Sequence, residues 1–121
     1  MIFGSSGKDE LAGGSGQDIF VFDTKPNKTT NLDRIVDFSV AEDTIQLAKS
    51  AFTKITKKGV LASTAFWAGD KAHDASDRVI YNAKNGALFY DQDGNGSHAA
   101  IQVASLSKNL KTMTAKDFFV I

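Results

Sequence analysis

Cysteine is absent from the 121 residues, which excludes a disulfide scaffold, thiolate zinc and iron–sulfur sites, and a cysteine nucleophile. Charge of one sign is missing as well. The 14 Lys and Arg balance the 14 Asp and Glu, so the chain has neither the basic field of a nucleic-acid binder nor the polybasic face of a peripheral membrane protein. No apolar run approaches the roughly 18 residues of a membrane span, which argues against membrane insertion. The opening MIFGSSGKDE lacks the basic and apolar regions of a cleavable signal peptide. Histidine is confined to His73 and His98, and neither His-x-x-x-His nor Gly-x-Ser-x-Gly occurs, so the usual hydrolase signatures are missing. Proline appears once, at Pro26.

The scarcest acid is glutamate: 2 Glu stand against 12 Asp, beside 10 Gly. Surface helices favour Glu, whereas Asp competes for backbone hydrogen bonds in turns. An Asp- and Gly-rich chain is therefore a chain of turns, and turns that carry Asp oxygens are where hard cations bind. With 42% hydrophobic residues over the length of one domain, the rest of the chain has the composition of a folded core.

A repeat opens the chain. GSSGKDELA at 4–12 and GGSGQDIFV at 13–21 share the first and fourth glycine, the sixth-position Asp and the eighth-position apolar residue. The same register places Ile2 at the apolar position of a preceding unit, so the chain is expected to begin inside a repeat array, with Met1 as an added start. Glycine permits positive φ and close backbone approach, so the first six residues of each unit form a turn with inward carbonyls. Asp9 and Asp18 add carboxylate oxygens to these turns, whose candidate carbonyl donors are Gly4, Ser6, Gly13 and Ser15. Oxygen-only sites suit Ca²⁺, which takes six to eight ligands in loose geometry. Neither a phosphate loop nor a dinucleotide fingerprint fits, because IFVF follows where a helix would have to start.

These nonapeptides resemble the repeats-in-toxin family, whose repeats build a parallel calcium β-roll. A roll of 18 residues per coil places Asp18 beside chemistry near residue 36, where Asp37 and Asp33 stand; their other reading is a plain strand with polar flanks. Further phrases resemble the C-terminal domain of serralysin-type proteases: NLDRIVDFSVAEDTIQL, STAFWAGDKAHDASDRVIYN, NGALFYDQDGNGS and KDFFVI. Ala41 departs from that pattern, where a glycine is expected before EDTIQL. The resemblance implies calcium-induced folding outside the cell, and an uncleaved C-terminal signal, Asp117 followed by four apolar residues, read by a type I secretion apparatus. It also implies an upstream domain of a larger secreted bacterial protein, and no catalysis by this segment. The alternative is a calcium-dependent polysaccharide-binding module of a secreted glycan-modifying enzyme.

The expected fold is all-β: the end of a parallel roll at 2–22, then a β-sandwich-like cap at 23–121 with one or two short helices. Within the cap, 23–31 reads as a polar loop, and 33–38 and 44–47 as strands. Ser63 is placed to cap a short helix over 63–70. Asn85 and Gly86 signal a hairpin between 78–82 and 87–91. A strand over 99–106 and a turn feeding a terminal strand complete the chain. Asp91, Asp93 and Asn95 in DQDGNG occupy EF-hand positions 1, 3 and 5, but Gln102 stands where the bidentate Glu belongs, so a plain turn is the equal reading. His73, Asp74 and Asp77 form either a metal or acid/base cluster or a solvated loop with Asp77 tied to local backbone. Trp67, Tyr81 and Tyr90 serve either as a sugar-stacking face or as core.

Overall fold

The computed structural model describes residues 2–3, 10–14, 16–23, 33–40, 42–55, 57–69, 72–94, 100–108, 110 and 113–121. The chain winds from β1 (Ile2–Phe3) to β2 (Glu10–Leu11), back to β3 (Ile19–Phe22), across to β4 (Asp33–Ile35) and back to β5 (Thr44–Leu47). β1, β3 and β5 are parallel neighbours in one sheet, and β2 and β4 are parallel neighbours in the other. This is the expected roll, and its first coil has the expected length, since Ile2 stands in register with Phe20.

The second coil is longer. Phe20 is in register with Ile45 and Leu11 with Ile35. Most of the excess lies between β3 and β4, where the polar stretch after Phe22 exceeds a nonapeptide. The parallel winding continues through Leu47, past the end of the recognisable repeats. A roll tolerates such insertions because its strand pairing is set by the apolar residues, not by the connections.

After β5 come β6 (Gly59–Val60), a 3-10 turn (Ser63–Ala65), β7 (Phe66–Ala68), β8 (Val79–Asn82), β9 (Ala87–Tyr90), β10 (Ile101–Ser105), a second 3-10 turn (Ala115–Asp117) and β11 (Phe118–Val120). They join no separate body but extend both sheets of the roll. One sheet runs β1-β3-β5-β11-β6 and the other β2-β4-β10-β9-β8-β7. β8 and β9 form the expected hairpin. Gly86 adopts φ +78°, and a Cβ there would overlap the Leu106 carbonyl oxygen, so the turn and the close approach both require glycine.

The expected helix over 63–70 is not formed. The chain makes only the 3-10 turn, with Ala62 rather than Ser63 at its cap and no side-chain cap bond. Phe66, Trp67 and Ala68 then pair in parallel with Val79, Ile80 and Tyr81. Aromatic residues beside an available strand edge gain more from pairing than about two turns of marginal helix would return.

Between the sheets lies one core. Ile2, Phe20, Ile45 and Phe118 form a row across four strands, and Phe22, Leu47 and Val120 form the next. Leu11, Ile35, Val79, Leu88 and Val103 face them from the second sheet. Burying each such side chain stabilises the fold by roughly 1.5–3 kcal/mol. Tyr81 and Tyr90 belong to this core: the Tyr81 hydroxyl donates to the Ser107 carbonyl, and the Tyr90 hydroxyl accepts from Lys54 N at 3.0 Å. Of the three aromatic residues proposed for a stacking face, only Trp67 is exposed.

Candidate functional site

The complete nonapeptide forms a glycine turn ahead of β3. Gly14 and Gly16 have φ of +78° and +91°, which only glycine adopts readily. Gly13 is needed for space: a Cβ there would overlap the Asp18 carboxylate. That carboxylate folds back beneath Gly13, and its Oδ2 is buried without a hydrogen-bond partner. A buried carboxylate oxygen lacking a donor costs several kcal/mol unless a cation or proton neutralises it. A carboxylate oxygen of this kind suits a hard cation such as Ca²⁺, which takes oxygen ligands in loose geometry.

Two further carboxylates fasten this turn to the next coil. Asp37 accepts from Gly13 N at 3.0 Å and Gly14 N at 2.7 Å, one bond to each oxygen. The Gly13 and Gly14 amides hold its carboxyl below the ordinary value of 3.8. Asp43, which is 3% exposed, accepts from Asp18 N at 3.0 Å and from Ser39 N at 2.8 Å, while Thr44 N donates to the Asp18 carbonyl at 2.9 Å.

Asp37 therefore meets the glycine turn, as expected from its position, but through the amides. The residue one coil on from Asp18 is Asp43, which the fixed 18-residue spacing missed. A local signal was present: Asp18 directly precedes IFVF and Asp43 directly precedes TIQL, so aligning by strands instead of by count pairs them. Asp33 is buried at the head of β4 in the opposite sheet, in register with Ala104. Gly4, Ser6, Asp9, Ser15 and Asn95 lie outside the described residues.

A cleft of about 440 Å³ opens at this end of the roll, lined by Asp18, Glu42, Asp43, Lys116 and Asp117 among others. Four carboxylates and one ammonium thus come from three separate segments. Burial pushes the Asp117 carboxyl above 3.8, against the lowering effect of the Thr114 amide, which donates to it at 2.8 Å.

The DQDG turn after β9 has a different character. Asp91 is 4% exposed, its Oδ1 accepts from Asp93 N at 3.2 Å, and its own amide donates to the Arg78 carbonyl at 2.8 Å. Burial pushes its carboxyl above 3.8 against the lowering effect of the Asp93 amide, and the Asp93 carboxyl adds to the rise. Gln102, at the closing position of the motif, turns its amide toward Ala104 O and Ser105 Oγ within its own strand. Gly94, with φ +63°, packs against the backbone of Asp74 and Ala75. The turn is thereby seated on the connection between β7 and β8, where His73, Asp74 and Asp77 place one ligand atom each within 4.8 Å of one another.

A parallel roll that runs on into a two-sheet cap, with a glycine turn packed over the Asp18 carboxylate at one end, defines a β-roll module. The chain belongs to the family described as Peptidase M10 serralysin C terminal, whose model matches residues 1–120. No curated protein and no solved structure matches the chain.

Proposed function

We propose that this chain is the calcium-dependent folding and export module of a larger secreted protein, without chemistry of its own. The observation that carries the reading is the Asp18 carboxylate, buried beneath Gly13 with an unpartnered oxygen at the junction of two coils. Calcium held there by Asp18 and turn carbonyls supplies the missing positive charge. Without it, Asp18, Glu42, Asp43 and Asp117 line one cleft, with Lys116 the one cation among its described lining residues, and their repulsion opposes closure. Binding free energy thus becomes folding free energy.

The family membership supports an extracellular destination, and the low free calcium of a bacterial cytosol would keep the chain loose until export. The upstream domain of the parent protein would join at β1 and β2, which are the edge strands at the same end of both sheets. A type I secretion apparatus is the proposed reader of the C-terminal segment. The test is thermal unfolding in calcium, in magnesium and in chelator, for the parent chain and for Asp18→Ala. Calcium should raise the melting temperature strongly and magnesium little, because magnesium demands a small octahedral site. Asp18→Ala should lose most of the calcium increment. Superimposable curves in calcium and chelator would sink the reading.

A further inference from the structure

Outside the roll, one group of side chains has no part in the calcium reading. The connection from β7 to β8 carries His73, Asp74 and Asp77. Asp77 is fully buried, and its Oδ2 accepts from His73 N at 2.8 Å and Asp74 N at 3.3 Å, so it holds the loop as the sequence suggested. The same oxygen lies 2.6 Å from His73 Nδ1. Its Oδ1, equally buried, has no hydrogen-bond partner. A carboxylate at 0% exposure with one oxygen unsatisfied calls for a further positive partner.

The imidazole is set in place from two sides. Asp77 engages Nδ1, which leaves Nε2 as the ring nitrogen turned to the exposed edge. The ring also stacks on Trp67 with centroids 3.6 Å apart and planes 17° apart, which leaves the ring edge open. At that edge, Nε2 stands 3.4 Å from Asp74 Oδ2. A ring nitrogen and a carboxylate oxygen at this separation can be joined by one ion with bonds of about 2.0–2.2 Å to each. The half-exposed side chains of His73 and Asp74 give such a cation access from solvent.

We propose that His73, Asp74 and Asp77 form a site for one divalent transition-metal ion of the zinc class, separate from the calcium turns. His73 Nε2 and the Asp74 carboxylate are the directly offered ligands. Asp77 orients the imidazole, as carboxylates do behind metal-bound histidines, and one of its oxygens lies within the same ligand set. Ligand atoms gathered within 4.8 Å can converge on an ion with bonds of about 2.0–2.2 Å, with water completing the shell. An imidazole ligand selects the zinc class over calcium and magnesium, which take oxygen.

The only tryptophan in the chain reports directly on this site, because it is the residue stacked on His73. The experiment titrates Zn²⁺ into the calcium-saturated chain and follows binding heat and Trp67 emission together. One saturable site per chain is expected, with emission changing in step. Affinity should fall at least tenfold in His73→Ala and in Asp74→Ala, and hold in His98→Ala. Asp74 is half-exposed, so its variant tests the ligand set without emptying the core. No saturable heat, an affinity unchanged in Asp74→Ala and His73→Ala, or loss on His98→Ala alone would each overturn the proposal.

Discussion

Gly13 and Gly14 are adjacent, yet the structure needs them for different reasons, and this separates two effects that a glycine-rich motif usually mixes. Around Gly14 there is open space, but its φ is +78°; a side chain there meets backbone strain of about 1–2 kcal/mol and nothing else. Gly13 has no positive φ, but a Cβ would overlap the Asp18 carboxylate. Gly13→Ala should therefore displace the proposed calcium ligand and weaken calcium binding at least tenfold, while Gly14→Ala lowers stability and leaves affinity within a few-fold. Calorimetric calcium titration of the two variants checks the order; equal losses would show that the turn, and not Asp18, governs binding. At this scale the sequence revealed chemistry better than partners. Asp18 was legible because the nonapeptide fixes its place in the turn. Asp43 was not, because a neighbour in space one coil away depends on how many residues the connection holds, and the stretch after Phe22 breaks the count.

Alternation made most strands legible. TIQL reads apolar at every second residue, and Ile45 and Leu47 are buried while Thr44 and Gln46 are half-buried. The Asn85 and Gly86 pair marked the β8 to β9 hairpin because turn chemistry is local. The 63–70 segment differs from its local pattern for the opposite reason: a distant strand, β8, tells Phe66 and Trp67 to extend. β11 shows what alternation alone leaves out. Phe118 and Val120 point inward and Phe119 and Ile121 are each 40% exposed, as a half-buried strand requires. The strand is not peripheral, however. It lies between β5 and β6, and Ile121 closes two further bonds, donating to Leu47 O and accepting from Lys49 N, both at 3.0 Å. Deleting 118–121 would remove an interior strand and confuse export with folding. Substitution by face keeps them apart. Phe118→Ala should cost about 3–5 kcal/mol by emptying the core. Phe119→Thr with Ile121→Thr should cost about 1 kcal/mol or less, since threonine suits a strand. If the apolar run is what a type I apparatus reads, the paired outer variant should melt close to the parent chain in calcium yet leave the cell far more slowly. Normal export of that variant would move the signal elsewhere.

Across the whole molecule, roll and cap are one structure, because β10 and β11 pair with the last roll strands β4 and β5 in both sheets. The parallel partners come from opposite ends of the chain, and no local pattern announces such pairing. This continuity makes a definite demand on the calcium response. The cleft at Asp18 is closed partly by Lys116 and Asp117, directly before β11, while Trp67 sits at the far edge of the other sheet in β7. If the calcium turn and the cap were joined only by a linker, chelation would unravel the roll and leave Trp67 in its native stack. With both sheets shared, calcium withdrawal should unfold the two together. Trp67 emission and far-ultraviolet circular dichroism should then follow a single transition with coincident midpoints as calcium is titrated away, and Asp18→Ala should shift both midpoints equally. The metal proposed beside His73 is left out of this experiment so that Trp67 reports folding alone. Separate midpoints, with Trp67 emission holding native after the dichroism has changed, would mean that the cap folds independently and that calcium governs only the roll.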